Sequence, residues 1–410
     1  MTKRNCPQDD SLFMPKPKPK QIKSEQFTPR KIKIRVIGIG GGGAAIVSEM
    51  SGIMKAVSFY AADTDLKTFK RLKKSVKPFQ FGEKLTLGLG TGLNPELAQR
   101  AACEEKAKIA KLFKDCDLVV LVGALGGGVG SGAGPVFAEI AAEQKVLSLG
   151  IFTLPFSFEG EKKTRVAKKA LVSLQEKLSA AMVVPNERIF LLVDKKTPLK
   201  KSLSLLNQTF AFWLADLLAV IIKPGLINID FADLKAVLDK RGMKLFLSKA
   251  VTQGPLRAEE AAKNIFQNPF FDEKPRNVKR ILFNITGGRD LALKEVETIS
   301  KTIAGLNPKA KIIFGITENT SRSGKIQIIL LAVCENHCAV VEEPSVPSSL
   351  KLQRASKTNK INRTNKKDKT KEASKKTSRR TAVEVKQANE EEKDREWAQE
   401  ADWEVPAFMR

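Results

Sequence analysis

The chain has 410 residues, of which 71 are Lys or Arg and 45 are Asp or Glu, and its formal net charge is +26. This length allows one large or two medium globular domains with additional tails. We expect no membrane span, because the apolar runs are shorter than the ~20 residues that cross a bilayer, and the N-terminus has no stretch typical of a secretory signal. We therefore expect a cytoplasmic protein that is attracted to polyanions such as nucleic acid, anionic lipid or acidic partners.

The first half of the chain alternates short apolar runs with segments of helical periodicity, which is typical of an α/β domain with a parallel sheet. The predicted strands cover residues 32–39, 57–62, 118–123, 146–153 and 182–185. The predicted helices cover residues 96–114 and 135–144. A longer apolar-striped segment, 199–222, predicts a buried central helix. Further along, the predicted elements are strands near 280–285, 311–316 and 326–333 and a helix near 291–306.

Changes in composition divide the chain into six segments. They are a disordered basic leader (1–30), a first domain (31–198), the central helix (199–223), a second domain (224–338), a disordered Lys-rich linker (339–395) and a terminal peptide (396–410). Between Lys351 and Arg380 the linker has 13 Lys and Arg against two acids. The linker also has too little apolar content to build a core. The terminal peptide regains Trp, Val, Pro and Phe, a pattern typical of a docking peptide.

A first glycine-rich loop follows the first predicted strand. Its Gly38-x-Gly40-x-x-Gly43 pattern fits the dinucleotide fingerprint, and Asp63 follows the next strand where a ribose-binding acid would lie. Taken alone, this loop favours an oxidoreductase that binds a nicotinamide or flavin cofactor. The loop indicates a binding site for the phosphate of a nucleotide, and it does not identify the nucleotide.

A second glycine-rich loop changes that interpretation. Six glycines fall within the nine residues 126–134, directly after an apolar strand. The loop lacks the Gly-Lys-Ser/Thr ending of a P-loop, so backbone amides, the helix dipole and a magnesium ion must contact the terminal phosphates. The alternative is that these glycines only permit close packing, which so many in one run disfavours.

The short stretch 334–338 holds three possible zinc ligands, Cys334, His337 and Cys338. A structural zinc site needs four ligands, and no second cluster supplies the fourth. Reduced thiols are the favoured interpretation, and we predict no metal held by protein side chains.

Residues 126–135 (GGGVGSGAGP) resemble the signature of the tubulin/FtsZ family. Five further motifs follow that family in order and spacing, and the resemblance extends from about Lys33 to Val333. These motifs are 63–65 (DTD), 88–96 (GLGTGLNPE), 155–160 (PFSFEG), 184–187 (VPNE) and 224–233 (PGLINIDFAD).

The resemblance implies an α/β fold: a Rossmann-like parallel-sheet domain that binds GTP or GDP with Mg²⁺, joined by the long central helix to a smaller α+β domain. It implies that Gly41, Gly42 and the loop 126–132 hold the phosphates, that Glu159 contacts the ribose region, and that Asn186 and Asn207 read the guanine edge. The nucleotide-binding residues that it predicts are Gly41, Gly42, Asp63, Thr64, Gly92, Asn94, Gly126, Gly127, Gly128, Val129, Gly130, Ser131, Gly132, Glu159, Lys163, Asn186, Leu203 and Asn207.

Asn228, Asp230 and Asp233 match the catalytic loop of the family. Taken without that context, an Asp at a helix start with a second Asp three residues later is a capping pair. The two interpretations are compatible, because carboxylates held at a helix start can orient a water toward a γ-phosphate. In the family this loop reaches the nucleotide of the next subunit, which implies head-to-tail filaments and hydrolysis that requires assembly.

The last seven residues, 404–410 (EVPAFMR), resemble the terminal peptide of the bacterial cell-division members of the family. The resemblance implies binding to membrane-tethering division proteins and a location at midcell. The residues it predicts for this contact are Val405, Pro406, Phe408, Met409 and Arg410.

Three positions depart from the family pattern. Val129 replaces a threonine of the phosphate loop, Lys163 replaces an arginine, and Leu203 replaces an aromatic ring that stacks on guanine. We therefore predict retained GTP binding with slow hydrolysis. Two alternatives remain open at this point: a tubulin-like filament with no division role, and the oxidoreductase. The basic linker could add weak contact with anionic lipid or nucleic acid.

Overall fold

The computed structural model describes residues 31–54, 57–194, 196–268, 270–271 and 278–335. The predicted leader, linker and terminal peptide lie outside these residues, as do His337 and Cys338. Cys334 is buried at the end of the last strand.

Ten strands and twelve helices make up the described part of the chain. The strands are β1 Ile34–Ile39, β2 Ser58–Asp63, β3 Val76–Gln80, β4 Leu118–Ala124, β5 Leu147–Leu154, β6 Ala180–Pro185, β7 Met243–Gln253, β8 Val278–Gly287, β9 Lys311–Glu318 and β10 Lys325–Cys334. The helices are α1 Gly40–Met50, α2 Leu66–Phe69, α3 Glu83–Thr86, α4 Pro95–Glu104, α5 Lys106–Ala110, α6 Gly128–Gly132, α7 Gly134–Glu143, α8 Glu161–Lys177, α9 Leu199–Ile222, α10 Phe231–Val237, α11 Arg257–Asn264 and α12 Leu293–Leu306. Short 3₁₀ turns cover Ser157–Glu159, Asn186–Leu191 and Thr320–Arg322.

The strands form one sheet in the order β3-β2-β1-β4-β5-β6-β7-β10-β8-β9. The first six are parallel and run 3-2-1-4-5-6, the order of a doubly wound nucleotide-binding fold. This confirms the predicted parallel α/β domain. The strand order reverses between β1 and β4, where Ile39 lies level with Gly123. The loops that follow β1 and β4 therefore emerge side by side at the carboxyl edge of the sheet.

The second half of the chain is a smaller α+β unit, also as predicted. β10 lies between β7 and β8 and is antiparallel to both, and β9 is parallel to β8. Helices α11 and α12 contribute Ala261, Ala262, Ile299 and Ile303 to an apolar cluster on this part of the sheet. The unit joins the first domain through α9 and through a short parallel pairing of β6 with β7.

The predicted central helix is confirmed as α9. It carries Phe210, Trp213 and Leu214 into the largest apolar cluster, and both Phe210 and Trp213 contact the ring of Phe270 from the second domain. The expectation that no apolar run is long enough to cross a membrane needs correction, because α9 meets that criterion by length and composition. Since 61% of its apolar window is buried inside the protein, α9 is explained as a core helix.

The single helix predicted over 96–114 is wrong in detail, because the structure forms α4 and α5 with a break at Glu105. The backbone of Glu105 has φ −103° and ψ 23°, which is not helical. Its carboxylate accepts a hydrogen bond from the Gly82 N–H at 2.9 Å. This bond ties the break to the start of α3 and favours the interruption.

In the second domain, we expect Arg257→Met to lower the free energy of unfolding by about 3 kcal/mol, because it leaves two carboxylates without their shared partner. Arg257 is 8% exposed, and its guanidinium bonds Glu295 at 2.6 Å as well as Asp290. Urea denaturation of the variant and the parent chain measures the difference.

Arg289→Met is the matched control, because Arg289 is 83% exposed and lies 3.4 Å from Glu318. It should change stability by less than about 0.5 kcal/mol.

The hydrogen bond from Arg257 also holds the pKa of Glu295 below its usual range. The stabilisation that Glu295 gains from this bond is complete above the unfolded pKa of ~4.3 and is lost as the pH falls through the lower folded pKa. The effect of Arg257→Met should therefore shrink in acid; an effect that stays constant from neutral to acid pH would contradict this account.

Candidate nucleotide site

A cavity of about 500 Å³ opens at the carboxyl edge of the sheet, at the reversal of strand order between β1 and β4. Open α/β sheets bind ligands at this position. Its lining combines residues from the two glycine loops with residues at or after the ends of β2, β5 and β6 and with the segment 89–93 that follows α3. They are Ile39, Gly40, Gly41, Gly42, Asp63, Asp65, Thr68, Leu89, Gly90, Thr91, Gly92, Leu93, Ala124, Leu125, Gly126, Gly127, Gly128, Val129, Gly130, Pro155, Glu159, Lys163 and Asn186.

The first glycine loop combines packing with access to the cavity. A side chain at Gly38 or Gly43 would strike the backbone across the β1–α1 turn, so these fingerprint glycines permit close packing of α1 on the sheet. By contrast, a Cβ at Gly41 would have only Thr68 Oγ1 at 3.8 Å and Asp63 Oδ2 at 3.9 Å as neighbours. The Gly41 backbone therefore borders open space beside Asp63.

The second glycine loop combines glycines that are required for packing with one that borders open space. Cβ atoms at Gly128, Gly130 and Gly132 would collide with Thr91, the Ala124 carbonyl and the Pro95 carbonyl, so these three glycines are required for packing. A Cβ at Gly127 would meet no protein atom within 4 Å. Gly127 is therefore the open position of the loop. Ser131 supports the turn from inside, since its Oγ accepts a hydrogen bond from the Gly126 N–H at 2.8 Å.

The acidic motif after β2 lies at the base of the cavity. Asp63 is 3% exposed; its Oδ1 accepts the Thr64 N–H and its Oδ2 accepts the Thr68 hydroxyl, both at 2.7 Å. Burial raises the pKa of Asp63. Asp65 caps α2 by accepting the Lys67 N–H at 2.8 Å. The site thus presents two carboxylates and a hydroxyl beside the glycine loops.

Glu159 and Lys163 face each other across one wall of the cavity. The Lys163 ammonium lies 2.9 Å from Glu159 Oε2, and Glu159 Oε1 accepts the Phe156 N–H at 2.9 Å. Glu159 is therefore fixed by its own turn, and it holds the Lys163 charge at the rim. A lysine here offers a point charge where an arginine would offer a planar fork of donors.

Six of the predicted nucleotide-binding residues do not line the cavity: Thr64, Asn94, Ser131, Gly132, Leu203 and Asn207. The Asn207 amide donates to Glu49 Oε1 at 3.3 Å, and Leu203 packs against the largest apolar cluster. Asn94 caps α4 by accepting the Leu97 N–H at 3.0 Å. Asn186 lines the cavity, at the carboxyl end of β6. Contact of Asn207 and Leu203 with a base therefore stays a prediction.

Several lining residues were not predicted as ligand contacts. Asp65 belongs to the quoted DTD motif, and Leu89, Gly90 and Thr91 belong to the quoted 88–96 motif, so the signal was present in both cases. Thr68 had no such signal, because only the turn into α2 brings its hydroxyl to Asp63.

The predicted catalytic residues lie in the second domain and outside the cavity lining. Asp230 Oδ1 accepts the Asp233 N–H at 2.8 Å, and the Asp230 N–H donates to Asp233 Oδ2 at 3.0 Å. This reciprocal pair is the capping box of α10. Asn228 accepts from the Gly225 N–H, and Ile227 bridges to Ile316 in β9. The loop is therefore held by local hydrogen bonds, and its three predicted catalytic residues do not line the cavity of their own chain.

Comparison with known proteins gives two family matches. The Tubulin/FtsZ family GTPase domain matches residues 33–194, and the FtsZ family C-terminal domain matches residues 246–334. The solved structure of an FtsZ dimer, empty, from M. jannaschii has a TM-score of 0.65 at 30% identity and covers 77% of this chain and 96% of its own.

Curated relatives agree with these matches. The cell division protein FtsZ of Buchnera aphidicola subsp. Baizongia pistaciae is 31% identical over 302 residues, which are 73% of this chain and 78% of the relative. The cell division protein FtsZ of Caulobacter vibrioides (strain NA1000 / CB15N) is 31% identical over 82% of this chain, and the match spans 66% of that relative's length. With both domains matched and a relative covered over most of its length, the chain belongs to the FtsZ family, within the larger tubulin/FtsZ family.

Proposed function

We propose that the chain binds GTP and GDP in this cavity, hydrolyses GTP, and polymerises head to tail into filaments. The meeting of two glycine loops at the reversal point of a doubly wound sheet carries this proposal, because backbone N–H groups converge there on one open space. The family membership supports guanine as the base. Asn186, at the cavity wall, has the donor and acceptor that a guanine edge requires.

The donor set of the cavity also fits Mg²⁺. Asp63, Asp65 and Thr68 offer oxygen atoms, the ligands that this ion prefers, although the described residues hold no group of three or more His, Cys, Asp and Glu side chains that could bind a metal by themselves. When bound with the phosphates, Mg²⁺ would supply neutralising charge. The backbone amides of Gly41 and of the loop around Gly127 hold and orient the phosphates.

We further propose that hydrolysis is completed by a second copy of the chain. Asp230 is exposed and Asp233 is half-buried; both carboxylates are fixed by hydrogen bonds and neither lines the cavity of its own subunit. In a head-to-tail contact the loop of Asn228, Asp230 and Asp233 orients a water toward the terminal phosphate of the neighbour. A heterologous contact of this kind builds a filament.

The biological role that we propose is formation of the bacterial cell-division ring, in the cytoplasm and concentrated at midcell. The names of the curated relatives support it, as does the terminal peptide 404–410, which would bind membrane-tethering division proteins. A fluorescent fusion observed in dividing cells tests this role. Rings at midcell support it, whereas filaments elsewhere would indicate a tubulin-like filament with no division role.

The biochemical proposal is tested by titrating the purified chain with GTP, GDP and NAD and then pelleting it after addition of each. GTP and GDP should bind at micromolar concentration, and only GTP should cause pelleting. Absence of GTP binding would refute the proposal, and binding of NAD alone would support the oxidoreductase interpretation instead.

Lys163→Arg should tighten GTP binding by roughly twofold to fivefold, because an arginine can bond a phosphate with two N–H groups while keeping its charge beside Glu159. Isothermal titration calorimetry measures the change. Lys163→Ala removes the ammonium group and should weaken GTP binding by roughly tenfold. Equal affinities for all three chains would show that the side chain does not reach the nucleotide.

A further inference from the structure

One lateral edge of the protein is strongly basic. Residues 66–84, which form α2, β3 and α3 with their connections, contain seven Lys and Arg and a single acid, Glu83. All seven cations are exposed; they are Lys67, Lys70, Arg71, Lys73, Lys74, Lys77 and Lys84. Because β3 is the outer strand of the sheet, these residues lie at one end of the described sheet. We call this surface the basic edge.

The cations of the basic edge make no ion pair in the described fold. None of the seven cations forms an ion pair with another described residue. By contrast, two cations elsewhere on the same domain, Lys106 and Lys177, both lie within 2.9 Å of Glu139. Apart from the contact of Lys77 with the Tyr60 ring, the charge of the basic edge has no described internal partner, and an anionic surface is its chemical complement.

Two protruding leucines border this charge. Leu66 is 48% exposed and Leu87 is 76% exposed, and their loops are joined by a hydrogen bond from the Leu66 N–H to the Gly88 carbonyl at 3.1 Å. Leu87 also has φ 50°, a left-handed conformation that leucine rarely adopts. The structure thus holds an apolar side chain out in solvent beside the cations.

We propose that the basic edge binds the surface of an anionic lipid bilayer. Exposed lysines attract acidic headgroups, and apolar side chains beside them insert at the boundary between headgroups and acyl chains. Single-stranded nucleic acid would instead need exposed rings for base stacking. The rings at this edge that reach the surface, Tyr60, Phe69 and Phe79, are half-buried. The ammonium groups of Lys77 and Lys108 lie over Tyr60 and Phe79 at 5.7 Å.

This surface is separate from the nucleotide cavity and from the predicted linker contact. The seven cations do not line the cavity. Lys67 lies between the cavity residues Asp65 and Thr68, whereas Lys70, Arg71, Lys73 and Lys74 lie further along the chain. Binding therefore needs neither nucleotide nor polymerisation. It can be measured on the full chain without GTP, so failure of this proposal and failure of the GTPase proposal are distinguishable.

The experiment is flotation of the nucleotide-free full chain with vesicles of phosphatidylcholine and phosphatidylglycerol, compared with phosphatidylcholine alone. The patch variant changes Lys70, Arg71, Lys73 and Lys74 to Gln. The linker variant changes Lys366, Lys367, Lys369 and Lys371 to Gln, so both variants lose the same charge. We expect the patch variant to bind anionic vesicles roughly tenfold more weakly and the linker variant to change by less than about twofold. A patch variant with Lys changed to Arg at positions 70, 73 and 74 keeps the charge and should retain binding.

Leu87→Asn separates a lipid surface from nucleic acid. Asparagine suits the left-handed backbone, so the change removes the apolar side chain without harming the fold. It should weaken vesicle binding by roughly threefold and leave retention of duplex DNA in a gel shift unchanged. Equal losses in the patch and linker variants would overturn the proposal. Loss of DNA retention in the patch variant with vesicle binding intact would also overturn it, in favour of nucleic acid.

Discussion

Gly127→Ala is expected to weaken GTP binding by roughly tenfold to a hundredfold while the thermal unfolding midpoint stays unchanged. The backbone at Gly127 has φ −86° and ψ 172°, which alanine adopts without strain. The new methyl group would meet no protein atom within 4 Å and therefore projects into the open space of the phosphate site. Calorimetric titration with GTP and a thermal melt of the ligand-free chain measure the two effects.

Gly128→Ala is the matched control at the next residue. Its methyl group would overlap the Thr91 hydroxyl, so it should destabilise the fold by about 1–3 kcal/mol and lower the unfolding midpoint. Unchanged GTP affinity in Gly127→Ala would contradict the assignment of the phosphate site. So would a melting midpoint that falls as far in Gly127→Ala as in Gly128→Ala, because the loss of binding would then reflect unfolding.

Asp230→Ala is expected to lower the GTP hydrolysis rate by roughly a hundredfold or more while nucleotide binding stays intact. The carboxylate is proposed to act on the nucleotide of a neighbouring subunit, and Asp230 does not line the cavity of its own chain. Asp233→Ala should behave in the same way. Phosphate release at saturating GTP, together with GTP affinity, measures both quantities.

Asp230 also caps α10, so a second variant is needed to separate helix capping from hydrolysis. Asp230→Asn keeps an N-cap acceptor for the Asp233 N–H and removes only the charge. It should retain the stability of the parent chain, unlike Asp230→Ala, yet lose hydrolysis to a similar extent. Normal hydrolysis in Asp230→Asn would show that the residue is only a helix cap.

Much of the fold could be predicted because its strands are continuous apolar runs. β1 and β4 were predicted to within two residues, and each was recognised as leading into a glycine-rich loop. The central helix α9 was equally clear from its long apolar stripe. These signals are local, so the sequence alone carries them.

The unpredicted elements depend on contacts that a local pattern does not show. β3 reads VKPFQ, and its Pro78 is tolerated because an outer strand has backbone groups that need no partner. β7 contains Lys244 and Lys249, which weaken its apolar pattern; Lys249 is paired with Asp216 of α9 at 2.7 Å. Helix α8 was not predicted either, since it buries mainly small side chains such as Ala167 and Ala170.

The same limit applies within the site. Gly127 and Gly128 are adjacent glycines that both line the cavity, yet a Cβ at Gly127 would enter open space and one at Gly128 would strike Thr91. The partner of Asn207 is Glu49, which is 158 positions away and has no motif of its own. Motifs therefore located the site, while the division of roles between neighbouring residues required the three-dimensional structure.

The central claim is that the active site is completed by a second copy of the chain. Its most direct test is the GTP hydrolysis rate of the purified full chain, measured against protein concentration. Because Asp230 and Asp233 lie outside the cavity of their own subunit, we expect a concentration threshold followed by a steep rise. Strict proportionality between rate and concentration, with no threshold, would contradict the account, because it would show that each subunit hydrolyses GTP by itself.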